Sequence, residues 1–292
     1  MSDEQKIWTI GALLQWTQQY FGGKGVENPR LDAELLLCHV LGKDRVYLYV
    51  HFDQPLCKEE LTAFRALVKQ RSARVPVAYI LGEKGFMGLT FKVSPAVLIP
   101  RPETELLVEE VLLAVKPLAK PYLLDLGAGS GAIIVSLLAH CPAAVGVAVD
   151  ISPEALAVAG ENAADNNVRD RLTLLQGDLF APLGLQERFD VIVSNPPYIP
   201  ASDVDTLAPE VRREPRLALD GGRDGLDYYR RLAQEAPAYS KPGTLLALEI
   251  GIDQDETVPA LLAAAGWTIQ SIRRDYGNIP RVVLAVWQGD ET

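Results

Sequence analysis

The chain has 292 residues, 48% hydrophobic and 23% charged, an ordinary globular composition that excludes wholesale disorder and fits one large or two ordinary domains. Its three cysteines (Cys38, Cys57, Cys141) and three histidines (His39, His51, His140) lack ligand spacing, which argues against a disulfide framework and against a bound metal. The net charge is −10: residues 1–75 hold ten basic and nine acidic side chains, so the negative excess falls on the rest of the chain, the opposite of what a phosphate-gripping face needs.

In chain order, the opening MSDEQKIW is acidic and polar, unlike a secretion signal, and with free cysteines it predicts a cytoplasmic location. Residues 1–75 read as a small helical domain. Thr9 suits the cap of a helix that runs to Gly22 and Gly23, and a second helix, LDAELLLCHVLG (31–42), ends on Gly42. A third, residues 58–74, is amphipathic, with Leu61, Phe64, Leu67 and Val68 on one face. In residues 76–98, β-branched and aromatic residues flank glycines, so this stretch predicts a β-hairpin linker between domains. A helix is then expected to start near Pro102, with acids in its first turn where the helix dipole favours them.

From residue 121 strands and helices alternate, and residues 99–292 predict one α/β domain with a mostly parallel sheet covered on both faces. Ser152 and Pro153 suit the start of one of its helices. The last two strands, WTIQSIRR and RVVLAVWQ, have too short a connection for a crossover and should pair antiparallel. Residues 126–149 carry no formal charge, yet their four glycines and one proline fit strand–turn–helix–strand better than a membrane span.

Two stretches carry chemistry. The first predicted strand of the sheet runs into DLGAGSGAI (125–133), where Gly127, Gly129 and Gly131 have GxGxG spacing. Glycines let the backbone approach a ligand, and the following helix start offers free N–H groups to an anionic group. Nineteen residues past Gly131, Asp150 ends the next strand, placed to accept from ribose hydroxyls; Asp178 and Leu179 follow the strand after that, placed beside a purine. The bland alternative is a tight turn that binds nothing. No GKS or GKT follows the loop, against a P-loop hydrolase.

The second stretch is SNPPYIP (194–200), where a buried strand ends in an amide, two prolines and an aromatic ring. In a doubly wound sheet this strand emerges beside the glycine loop. The Asn195 side-chain oxygen and a backbone carbonyl of the stiff Pro196–Pro197 pair can each accept one N–H of a planar amide or amine, while Tyr198 stacks on its plane. That suits a weak nitrogen nucleophile attacking an electrophilic methyl group, and no strong base is required.

DLGAGSG followed by Asp150 resembles the class I S-adenosylmethionine-dependent methyltransferases. With GEKGFMGLTFKVSPAVLIPRPETE (82–105), DVIVSNPPYIP (190–200), EPRLALDGGRDGLDYYRRL (214–232) and DYGNIPRVV (275–283), the chain is similar to the HemK/PrmC family of protein-(glutamine) methyltransferases that modify peptide-chain release factors. The resemblance implies a Rossmann-like domain with a seven-stranded sheet and an antiparallel last strand. It implies S-adenosylmethionine as methyl donor, S-adenosylhomocysteine as product, no metal, and the glutamine of a Gly-Gly-Gln loop as acceptor. Asp125, Gly127, Ala128, Gly129, Ser130 and Gly131 would line the methionine part of the cofactor, and Asp150 would hold its ribose. Asp178 and Leu179 would flank adenine. Asn195, Pro196, Pro197 and Tyr198 would hold the acceptor amide, with Asn195 also near the cofactor. The helical domain and hairpin would contact the protein substrate, with no direct nucleic acid or membrane partner.

Other positions leave alternatives. Arg101 and Glu103 suit a crevice lining or a plain helix start, and Arg216 with Gly221, Gly222 and Gly225 suits a shaped loop over the site or a surface turn. His140 reads as capping or packing, Tyr228 and Tyr229 as core and surface positions of one helix, and the run Arg169–Asp170–Arg171 as solvated. Rival functions are glutamine methylation of a ribosomal protein, amino-group methylation of adenine or guanine in nucleic acid, and a non-enzymatic binding module on the same fold. Intact glycine and NPPY motifs oppose the last.

Overall fold

The computed structural model describes residues 7–289, so most of the opening stretch read as lacking a secretion signal lies outside the described residues. The chain divides into two compact units, Met1–Gly82 with Pro209–Arg213, and Glu83–Ala208 with Glu214–Thr292.

The smaller unit is helical: α1 (Ile10–Gly23), α2 (Pro29–Leu41), α3 (Arg45–Val50), α4 (Lys58–Ser72) and α5 (Val77–Leu81). Thr9 caps α1 by accepting from the Ala12 amide at 3.2 Å, and Gly42 ends α2 in the left-handed region at φ +61°. Ile10, Leu14, Phe21, Leu36, Leu37 and Phe64 are buried together, each contributing about 1.5–3 kcal/mol by leaving water. Buried charges here are paired: Arg71 binds Asp32 at 2.7 Å and Glu210 at 2.8 Å, and Glu34 is met by Arg30, Arg45 and the Tyr49 hydroxyl.

The strands expected from residue 77 onward begin later. Val77–Leu81 is instead the short helix α5, started by extended Pro76 and stopped by Gly82 at φ +77°; Val77, Ile80 and Leu81 pack on the helical core, and that burial overrides their β propensity. The hairpin is β1 (Glu83–Phe86) and β2 (Leu89–Lys92), joined through Met87 and Gly88, both at positive φ as a type I′ turn requires. It is part of the larger unit's core rather than a free connector. Phe86 and Phe91 are buried in one cluster with Leu107, the Met87 amide donates to Glu105 at 2.7 Å, and the Lys92 amide donates to Asn162 at 2.7 Å.

The rest of the larger unit is α6 (Pro102–Val115), β3 (Tyr122–Leu126), α7 (Ala132–His140), β4 (Val145–Asp150), α8 (Pro153–Asp165), β5 (Leu172–Gln176), β6 (Phe189–Ser194), α9 (Asp227–Glu235), β7 (Ser240–Glu249), α10 (Thr257–Ala264), β8 (Trp267–Arg274) and β9 (Pro280–Trp287). The seven-stranded sheet runs β5-β4-β3-β6-β7-β9-β8, with β9 antiparallel to both neighbours. Strand residues alternate between two cores. Val191 and Val193 join the cluster that holds Leu107 and Ile134, while Ile192 joins the one that holds Tyr229 and Leu262. Strand order reverses between β3 and its two neighbours, β4 and β6, which opens a crevice at their carboxyl ends.

Arg171, read with its neighbours as solvated, turns inward. It donates to the carbonyls of Leu138, Cys141 and Ala144, supplying donors that the end of α7 lacks. His140 lies with Nδ1 2.9 Å from the Ser136 carbonyl, a local contact on its own helix. Among the described residues no helix is long and apolar enough to cross a membrane, and no group of three His, Cys, Asp or Glu side chains is arranged to hold a metal ion.

Candidate active site

The turn after β3 needs left-handed backbone three times: Gly127, Gly129 and Gly131 have φ of +74°, +55° and +76°. Their surroundings differ. A Cβ added to Gly127 or Gly129 would meet no protein atom within 4 Å, whereas one on Gly131 would lie 3.1 Å from the Ala159 Cβ. The first two therefore keep a ligand space open, and the third lets α7 and α8 pack closely.

The loop is held by its neighbours. The Gly127 and Ala128 amides both donate to the Val149 carbonyl, at 2.9 and 3.1 Å. The Asp150 carboxylate accepts from the Gly129 amide at 2.8 Å and the Ser152 amide at 2.9 Å. Asn162, fully buried, donates to the Ser130 carbonyl at 2.9 Å and to the Lys92 carbonyl at 3.0 Å, tying loop to hairpin. Asp125 is fully buried beneath the turn: Oδ2 accepts from the Ile134 amide, Oδ1 has no partner among the described residues, and burial pushes its carboxyl up to about 7. Ala128 and Ser130 are also buried, so they and Asp125 shape the loop from behind.

A cleft of about 390 Å³ opens beside this loop, and Gly127, Gly129, Asp150, Asp178, Leu179 and Asn195 all line it, with Pro197. Seven of the residues expected from sequence thus share one wall system. Asp178 is already engaged: Arg231 reaches both its oxygens, at 2.8 and 3.0 Å. Leu179 holds φ +49°, an uncommon conformation for a branched side chain, and this turn places it on the cleft wall. Sequence reasoning missed Pro95 to Leu98, Leu217 and Tyr228, which also line the cleft. Tyr228 was expected in the core and Tyr229 on the surface; the fold reverses them, with Tyr228 half-buried on the cleft and Tyr229 fully buried.

The NPPY segment leaves β6 in the same crevice. Asn195 donates from Nδ2 to the Thr104 hydroxyl at 3.2 Å, and Thr104 donates to Glu249 at 2.6 Å. Pro196 is buried. Tyr198 is off the cleft wall: a Cβ on Gly251 would lie 2.9 Å from its ring. Burial, with the nearby Glu249 charge, pushes the Tyr198 hydroxyl up to about 12, so it stays protonated and is no base at neutral pH. Glycines permit this packing. A Cβ on Gly221 would lie 2.7 Å from the Pro197 carbonyl oxygen, and one on Gly225 2.3 Å from that of Tyr198. Gln254, unremarkable in the sequence, donates to the Tyr198 carbonyl at 3.3 Å and the Gly225 carbonyl at 3.2 Å.

The open choices resolve. Arg101 is off the cleft wall and pairs with buried Glu214 at 2.5 Å, and Glu214 also accepts from the Ile99 amide at 3.0 Å. Glu103 sits in the first turn of α6. Arg216 makes surface pairs to Asp205 at 2.9 Å and Asp220 at 3.2 Å, while its neighbours Leu217 and Ala218 reach the cleft.

A largely parallel seven-stranded sheet with one reversed strand, a glycine turn after β3 and an acid ending β4 define a class I methyltransferase. Comparison with known proteins agrees. Residues 12–82 match the PrmC N-terminal domain, and residues 102–214 the methyltransferase small domain. The chain is 50% identical over 97% of its length to a release factor glutamine methyltransferase from Geobacter sulfurreducens, covering 98% of that protein. It is 47% identical over 95% of its length to the one from Caulobacter vibrioides, covering 97% of it. Among solved structures, a Thermus thermophilus 16S rRNA methyltransferase bound to AdoMet and guanosine shares the fold, with TM-score 0.51 and 21% identity over 70% of this chain and 49% of that one. The chain belongs to the release factor glutamine methyltransferase family.

Proposed function

We propose that this protein transfers a methyl group from S-adenosylmethionine to the side-chain amide nitrogen of the glutamine in the Gly-Gly-Gln loop of a peptide-chain release factor, in the cytoplasm. The single observation that carries the reading is that Asn195 lines the same cleft as Gly127, Gly129 and Asp150. The two relatives, named as release factor glutamine methyltransferases, point to the acceptor.

The residues fit the methyl donor. Gly127 and Gly129 leave a space that any side chain would fill. Asp150 spends one lone pair of each oxygen on the loop and retains others for ribose hydroxyls. Leu179 and Ile151 offer apolar contact to a purine, with Asp178 at its edge. Bound S-adenosylmethionine supplies an electrophilic methyl group on a sulfonium. Asp125, Ala128, Ser130 and Gly131 fix the loop's shape.

The chain's own residues handle the acceptor. Asn195 Oδ1, without a protein partner among the described residues, accepts one N–H of the glutamine amide. A backbone carbonyl of the Pro196–Pro197 pair accepts the other, and the prolines keep that geometry at little entropic cost. Tyr198, packed behind the clamp against Gly251, supports the prolines from outside the cleft. The amide nitrogen, gaining a methyl, sheds one proton; the protonated N-methyl amide is a strong acid, so water suffices to take it. We assign recognition of the release factor to the helical unit and the hairpin, with no nucleic acid or membrane partner. Incubation with a labelled methyl donor and a release factor, followed by mass mapping, tests the reading.

A further inference from the structure

Resting on the glutamine reading above, we propose that Thr104 and Glu249 are positioning residues that decide which end of the Asn195 amide faces the acceptor. All three are linked in one chain. Thr104 is the third residue of α6 and Glu249 the last of β7, and both are buried, at 4% and 2% exposure. The Thr104 Oγ1 lies 2.6 Å from Glu249 Oε2 and 3.2 Å from Asn195 Nδ2.

A threonine hydroxyl has one hydrogen to give. When Glu249 is a carboxylate it can only accept, so Thr104 donates to it. The hydroxyl oxygen is then left to accept, and Asn195 must turn its NH₂ toward Thr104. That orientation leaves Oδ1, a pure acceptor, for the substrate N–H. With a protonated Glu249 the chain can run backwards: Glu249 donates to Thr104, Thr104 donates to Asn195 Oδ1, and the Asn195 NH₂ faces the substrate NH₂, donor against donor. Catalysis therefore needs the ionised form.

The groups facing Glu249 are Glu103 and Thr104 from α6, Asn195 and Tyr198 from the clamp, Tyr229 from α9 and Arg281 from β9. Burial pushes the Glu249 carboxyl up to about 7, against the opposing pulls of Thr104 and Arg281. Its ionisation thus falls near neutral pH.

The test uses full-length protein, a release factor and labelled methyl donor. Thr104→Val should lower kcat/KM about 10- to 100-fold, the effect of losing one such hydrogen bond. Affinity for S-adenosylhomocysteine, measured by calorimetry, should stay within about threefold, under 1 kcal/mol. Thr104→Ser, which restores the hydroxyl, should recover most of the rate. Wild-type kcat/KM should rise with pH through an ionisation near 7 that Glu249→Gln removes. This pH profile decides the matter if Thr104→Val fails to fold. A Thr104→Val enzyme within twofold of wild type, or a Glu249→Gln profile unchanged from wild type, overturns the inference while leaving the glutamine reading intact. A wild-type enzyme that methylates no release factor overturns both, and that result appears in the control arm alone.

Discussion

The Gly129 amide donates a 2.8 Å hydrogen bond to Asp150 Oδ2, joining the turn after β3 to the end of β4. One carboxylate thus both stiffens the glycine loop and presents acceptors to the cleft. Asp150→Ala should weaken S-adenosylhomocysteine binding by about 1.5–3 kcal/mol, the worth of a hydrogen bond to a charged group. Calorimetry that finds unchanged affinity would refute the assignment.

Asn195→Ala removes the acceptor of the clamp without touching the glycine loop. Methyl transfer should be abolished, while cofactor affinity should stay within about tenfold, roughly 1.4 kcal/mol. Turnover with a release factor near the wild-type rate would show that Asn195 does not hold the acceptor.

Glycine substitutions should separate the two halves of the site. Gly225→Ala places a Cβ 2.3 Å from the Tyr198 carbonyl at φ +75°, so the clamp must shift; a stability loss of about 1–3 kcal/mol and a reduced kcat are expected. Gly127→Ala meets no protein atom within 4 Å, so its folding cost is the left-handed backbone alone, about 1–2 kcal/mol, and its main effect should be weaker cofactor binding. Melting curves paired with cofactor titrations distinguish the two. Equal cofactor losses in both variants would count against this division.

Stability should also depend on pH through Asp125. An aspartate titrates near ~3.9 in an unfolded chain. Folding raises Asp125 to about 7, so between these values the folded state holds more protons. Stability from this group is then full below the lower value and falls as pH rises to the upper one, by at most about 1.4 kcal/mol per pH unit. Glu249, also raised to about 7, adds in the same direction. Denaturant titrations of Asp125→Asn should show a shallower decline than wild type across this window. Parallel curves would mean that Asp125 is not held neutral.

Much of this was legible in the sequence because backbone demands leave chemical marks. Gly127 and Gly129 announce left-handed turns, Pro196 and Pro197 announce a ladder's end, and period-2 alternation sorts Val191, Ile192 and Val193 between two faces. What stayed hidden depends on contacts distant along the chain. Thr104 reads as an ordinary first-turn residue and Glu249 as a strand end; only the fold brings them together, 145 positions apart. Gln254 and Asn162 likewise show no local signal, since their partners lie on other elements. Val77–Leu81 misled because apolar β-branched residues fit a short half-buried helix as well as a strand.

The most direct measurement is mass mapping of methyl label after parallel incubation with a release factor, a ribosomal protein preparation and RNA. A single added methyl on the Gly-Gly-Gln glutamine, lost with Asn195→Ala, is the predicted result. Label on RNA or on a ribosomal protein, with the release factor unmodified, would contradict the account.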